Sequence, residues 1–181
     1  MLLTVQEPAP TLAMPTESPP LARPAIRLYW EDFVVGQTRE FGHMLVTREA
    51  VLAFAGQFDP QPFHLDDAAA QRSMFGRLAA SGWHTCAMAM RMMCDAYLLE
   101  SASLGSPGVD HLTWPMPVFP GDTLRMRSTV MNARVLASRP GVGVVQNEST
   151  VLNQHGQTVL TMQGAGFFGC RPTGWQSANT A

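Results

Sequence analysis

The chain has little charge and little cysteine. Charged residues occupy 14% of its 181 positions and the formal net charge is −2. No basic stripe is available to follow a phosphate backbone, so nucleic acid is not an expected partner. Cys86, Cys94 and Cys170 form no CxxC pair, which argues against both a zinc knuckle and a disulfide framework and favours a reducing, cytoplasmic setting. No apolar run is long enough to span a bilayer, and the N-terminus has neither the basic segment nor the apolar stretch of a secretory signal. A membrane is therefore not expected either. What remains is a chain of one-domain length, able to bury a single sizeable core.

Proline, by contrast, is concentrated at one end. Residues 1–25 carry Pro8, Pro10, Pro15, Pro19, Pro20 and Pro24 among small and polar residues, the composition of a disordered tail. We expect a domain over residues 26–172 and a short flexible tail over 173–181. Within the domain, Val51, Leu52, Phe54 and Ala55 recur at helical spacing after a Thr47 N-cap. Asp66 can cap a second short helix through Ala68, Ala69, Ala70 and Met74, ending near Gly76. Residues 81 to about 103 lack proline and read as a long, largely apolar, mostly buried helix. After a turn at Gly105-Ser106-Pro107-Gly108 the pattern changes to strands. Leu124, Met126, Ser128 and Val130 alternate with Arg125, Arg127 and Thr129, and turns are expected at Arg139-Pro140-Gly141 and His155-Gly156-Gln157. Helices early and antiparallel strands late point to an α+β fold in which a sheet packs on one long helix.

The stretch Phe58-Asp59-Pro60-Gln61-Pro62-Phe63-His64-Leu65-Asp66 connects the first two helices. Its two prolines remove backbone donors and push the preceding residues toward extended conformations, so it is expected to be a stiff, non-helical loop. Held on such a loop, a carboxylate and an imidazole can converge on one small volume and share a proton. The alternative is that Asp59 merely turns the chain and His64 is an ordinary surface residue. A metal is not expected, because no second histidine or cysteine is suitably spaced from His64-Leu65-Asp66-Asp67.

In the order Phe54-Ala55, Asp59, Pro62, His64, Asp66, Ala69 or Ala70, Phe75-Gly76, Ser81-Gly82, Pro117 and Pro120-Gly121-Asp122-Thr123-Leu124, the chain resembles the MaoC-like dehydratases, a hotdog-fold family that includes the (R)-specific enoyl-CoA hydratases. The resemblance runs from about residue 29 to about 170. It implies an antiparallel sheet wrapped around a long central helix, and a homodimer or larger even assembly. The implied activity is reversible hydration of a trans-2-enoyl-CoA to a (3R)-3-hydroxyacyl-CoA, with coenzyme A entering only as part of the substrate and no separate cofactor. A non-catalytic acyl-CoA-binding hotdog protein and a hotdog acyl-CoA thioesterase are the alternatives. One departure is plain: the family's usual asparagine two residues after the aspartate is Gln61 here.

Such a reaction needs a water deprotonated as it attacks the β-carbon, a proton delivered to the α-carbon, and donors for the charge on the thioester oxygen. Asp59 and His64 answer the first two needs jointly. Ser81 is a natural N-cap for the long helix, which leaves the Gly82 amide at the positive end of the helix dipole as the oxyanion donor the resemblance implies. Gln61, Ser81 and Trp83 are the candidate substrate-binding residues. Met88, Met90, Met92 and Met93, with Met74 nearby, form an adaptable apolar surface that serves as core filler or lines an acyl tunnel. Arg72 and Arg77 could meet coenzyme A phosphates. His43, His84, His111 and His155 are expected to have no part in the chemistry.

Overall fold

The computed structural model describes residues 25–172, and the expectations for the two tails lie outside that span apart from Ala25, which is exposed. One five-stranded antiparallel sheet, in the order β1-β3-β4-β5-β2, is built from β1 (Thr38–Leu45), β2 (Ser103–Thr113), β3 (Thr123–Leu136), β4 (Arg139–Leu152) and β5 (Thr158–Gly169). β3 shows how its sequence forms a strand: Leu124, Met126, Ser128 and Val130 are buried while Arg125 and Arg127 between them are exposed, the period-two signature of one covered face. The turn from β4 to β5 is fastened by Asn153, whose side-chain oxygen accepts from the backbone N–H groups of His155 and Gln157. Gly156 takes the positive φ (74°) that this turn requires.

The helices are α1 (Arg48–Phe58), α2 (Pro62–Leu65), α3 (Asp67–Gln71) and α4 (Gly82–Ala96). Thr47 caps α1 by accepting from Ala50 N–H, and Asp66 caps α3 by accepting from Ala69 N–H. α4 lies against the sheet and turns Thr85, Met88, Ala89, Met92 and Met93 inward. The three methionines join one core with Leu124, Met126, Val145, Leu160 and Phe168. Burial of each such side chain contributes about 1.5–3 kcal/mol, so the helix is fixed to the sheet by its packing more than by its intrinsic propensity. No helix among the described residues is long and apolar enough to cross a membrane.

Several boundaries differ from the sequence reading. α4 ends at Ala96, where Tyr97 leaves helical geometry (φ −159°) and a short 3₁₀ turn follows, and its Trp83 and Met90 are exposed, so the helix is buried on one face rather than all round. α3 stops at Gln71, and Met74 beyond it is almost wholly exposed. Gly105-Ser106-Pro107-Gly108 is not a turn before the strands but lies inside β2, which is bulged at several points. That strand pairs only with β5, and an unpaired edge tolerates proline and bulges. The β3–β4 hairpin turns at residues 137–138, since Leu136 already pairs with Arg139. Pro140 thus falls at the end of a strand, another position where its missing donor is tolerated. β1, on the opposite edge, was not legible, because a bulge between Phe41 and Met44 interrupts its alternation.

Candidate active site

α1 delivers the chain to Asp59, whose N–H donates to Ala55 O at 2.9 Å to close the helix. Gln61 N–H then donates to Asp59 O at 2.8 Å, and this sharp turn is followed directly by Pro62, the first residue of α2. The expected non-helical loop is therefore corrected by one turn of helix over Pro62–Leu65. Proline opens a helix readily, because the first N–H has no intrahelical acceptor to lose. That single turn brings His64 back over Asp59. His64 Nε2 stands 3.5 Å from Asp59 Oδ2, and the two side chains are 6% and 16% exposed.

The histidine is fixed from its far side. His64 Nδ1 lies 2.7 Å from Ala79 O. A carbonyl oxygen can only accept, so Nδ1 carries hydrogen and, in the neutral ring, Nε2 presents a lone pair toward Asp59. Phe63 meets the ring edge-on and Phe75 lies beside it. Asp59 is held as firmly: the Ser81 hydroxyl donates to Oδ2 at 2.6 Å and the Gln61 amide donates to Oδ1 at 2.8 Å. The Ser81 hydroxyl, more than any other group, holds the Asp59 carboxyl below the ordinary carboxylate range. Partial burial opposes it, while the Gln61 amide and His64 add to it. Two proton acceptors thus face each other across 3.5 Å, and a water seated against both can donate one hydrogen to each.

Ser81 also caps α4, accepting from Trp83 N–H at 3.2 Å. The Gly82 amide next to it is the first of the helix and has no acceptor among the described residues. Glycine is required here by close packing. A Cβ on Gly82 would stand 2.7 Å from the Trp114 indole, which packs on this residue and donates from Nε1 to Gly82 O at 3.0 Å. Trp83 meets Trp114 edge-to-face at 5.5 Å and is 62% exposed. The two indoles form an aromatic rim beside the helix start.

The remaining candidates separate. Gln61 is exposed, and its amide donates to Asp59. His84 is buried and stacked flat on Phe54 at 4.7 Å, its pKa lowered by burial, with Nδ1 unpartnered among the described residues. His43, His111 and His155 are exposed. Arg77 lies over the Phe119 ring at 3.7 Å, and Arg72 is exposed. Met90 and Met93 line an apolar cavity of about 250 Å³ with Leu98, Met162 and Phe168, whereas Met88 and Met92 are core and Met74 is exposed. Neither Asp59 nor His64 lines that cavity, which opens along the C-terminal half of α4. Among the described residues no group of three His, Cys, Asp or Glu side chains is placed to hold a metal ion. Sequence reasoning missed the Ser81–Asp59 bond, the Ala79 carbonyl under His64 and the Trp114 cover on Gly82.

A family model described as the MaoC like domain matches residues 32–153, a stretch that contains Asp59, Gln61, His64, Ser81, Gly82 and Trp83. A MaoC-like dehydratase from Rhodospirillum rubrum is 42% identical and superposes with a TM-score of 0.75, covering 81% of this chain and 99% of its own. The (R)-hydratase from A. caviae involved in PHA biosynthesis shares the fold at 23% identity and a TM-score of 0.60, covering 75% of this chain and 96% of its own. A Mycobacterium tuberculosis protein described as a double hotdog fold matches at 18% identity and a TM-score of 0.67, over 83% of this chain but only 46% of its own. One hotdog unit would give that proportion. With a sheet order and helix placement of this kind, and with the family model covering more than half its length, the chain belongs to the MaoC-like domain family of the hotdog fold.

Proposed function

We propose that this protein is a hydratase that adds water reversibly across a trans-2-enoyl-CoA, giving a (3R)-3-hydroxyacyl-CoA. The observation that carries the reading is the facing pair of acceptors, Asp59 Oδ2 and His64 Nε2 at 3.5 Å, with the histidine tautomer set by Ala79 O. A water held by both is oriented with an oxygen lone pair free for the β-carbon. As the new C–O bond forms, one O–H bond breaks and its proton passes to the Asp59–His64 pair. The alkene electron pair moves through the α-carbon onto the thioester oxygen. The Gly82 amide, at the N-terminus of α4, holds that developing charge. The proton then leaves the pair for the α-carbon, so one water is added and the site is restored.

The MaoC like domain match and the 42% identity with the R. rubrum MaoC-like dehydratase support this class of reaction, and the proposed hand is that of the (R)-hydratase from A. caviae, which shares the fold. A thioesterase would use the same water on the carbonyl carbon, and a binding protein would have no use for an ionised carboxylate held against a basic nitrogen. A panel of enoyl-CoA thioesters, followed for loss of the conjugated chromophore and for release of free thiol, separates the three. Loss of chromophore without thiol is the expected result. Thiol release alone would assign a thioesterase, and binding without either change would remove turnover. The free edge of β2, with Leu104 and Val109 exposed, supports a second copy of the chain as the partner.

A further inference from the structure

We infer that Ser81 is a positioning residue whose hydroxyl couples the Asp59 carboxylate to the start of α4, so that the activated water and the oxyanion donor are held in fixed register. This deepens the hydratase reading and rests on it. One oxygen makes both connections: Ser81 Oγ–H donates to Asp59 Oδ2 at 2.6 Å while Oγ accepts from Trp83 N–H at 3.2 Å. Its only hydrogen is committed to the carboxylate, which fixes the direction of the bond. Ser81 is 1% exposed, so its bond to the carboxylate is shielded from competition by bulk water. Gly82, which carries the candidate oxyanion amide, is its neighbour in the chain. The carboxylate and that amide are therefore linked by one hydrogen bond and the short Ser81 side chain. With its one hydrogen given to Asp59 and one lone pair taken by Trp83 N–H, the Ser81 hydroxyl acts here through the protein and not as a donor to substrate.

The same bond is the largest influence that keeps Asp59 ionised, and the titratable group facing Asp59 is His64. Removing the donor should raise the Asp59 pKa. The test compares Ser81→Ala, Ser81→Gly and Ser81→Thr in the full chain, with carboxyl ¹³C titration of Asp59 assigned through Asp59→Asn, and with pH profiles of enoyl-CoA hydration. Glycine is accepted at an N-cap far better than alanine, so Ser81→Gly removes the hydroxyl with little loss of the cap. We expect both hydroxyl-free variants to titrate Asp59 at higher pH, to move the acid limb of kcat/KM the same way, and to lower kcat by about 10- to 100-fold, the range for a hydrogen bond to a buried charge. Ser81→Thr should recover the titration and most of the rate. A folded Ser81→Gly protein with the wild-type titration and rate would overturn the proposal. So would a rate loss in Ser81→Ala that tracks its melting temperature with the pH profile unmoved. If the wild type hydrates no thioester while Ser81→Ala still raises the Asp59 titration, the hydratase reading fails and the coupling stands.

Discussion

Replacing Asp59 by asparagine keeps the shape of the side chain and reverses half of its chemistry. Oδ2 accepts from Ser81 and Oδ1 from Gln61, so an ionised carboxylate satisfies both donors. A carboxamide has one acceptor oxygen, and its NH₂ must face either a donor or His64 Nε2, which lies 3.5 Å from Oδ2. The least costly arrangement keeps the oxygen on one donor and turns the NH₂ toward Nε2. That occupies the lone pair that otherwise receives a proton from water. Both halves of the water-activating pair are thereby removed by one substitution, and a loss of ~10²–10⁴ in kcat/KM is expected. Stability should change far less, because the lost charge-assisted bonds are offset by release from the desolvation that opposes ionisation. The pH dependence has a definite sign. The folded pKa of Asp59 is lowered, so its contribution to stability is present above the unfolded value and is lost as pH falls through the folded one. Wild type should lose its advantage over Asp59→Asn on acidification below the ordinary carboxylate range. Hydration kinetics and urea unfolding at several pH values measure both effects. A folded Asp59→Asn protein with near-wild-type turnover would refute the water-activation argument.

Gln61→Ala should lower the rate about threefold to tenfold, since the amide donates to a charged group but is exposed to competing water. Gln61→Asn should fall near it, because one methylene less cannot span the 2.8 Å bond to Asp59 Oδ1; steady-state rates equal for all three proteins would show that this amide has no part. Gly82→Ala should destabilise the fold by about 1–3 kcal/mol through its clash with the Trp114 indole at 2.7 Å, read as a lowered Tm. A Trp114→Ala partner change should relieve much of that loss, and an unchanged penalty in the double variant would place the strain elsewhere. Sedimentation should find an active homodimer or larger even assembly, with β2 as the joining edge; an active monomer at working concentrations would exclude it.

How much of the site could be read from the sequence follows from the distance along the chain over which each contact is made. That Asp59 and His64 converge was legible because two prolines stiffen one short segment, although the helical turn over Pro62–Leu65 that brings them together was not. Thr47 likewise declared the start of α1, since a cap acts on the residues immediately after it. The alternation in β3 was legible because one of its faces is uniformly covered. The edges were not: β1 carries a bulge and β2 carries glycines and a proline, features that an edge strand tolerates and that a reader takes for turns. Within the site, the unread contacts are those that α4 makes on docking. Ala79 reaches His64 across 15 positions, Ser81 reaches Asp59 across 22, and Trp114 reaches Gly82 across 32. No local propensity encodes such pairs, because they depend on where the core methionines seat the helix against the sheet. The consequence for function is specific. The residues proposed to transfer the proton are declared locally, while the Ser81 hydroxyl that most lowers the Asp59 pKa and the Ala79 carbonyl that sets the His64 tautomer arrive only with tertiary packing. Substitutions under α4, far from Asp59 in sequence, are therefore expected to move the pH profile without touching either acceptor.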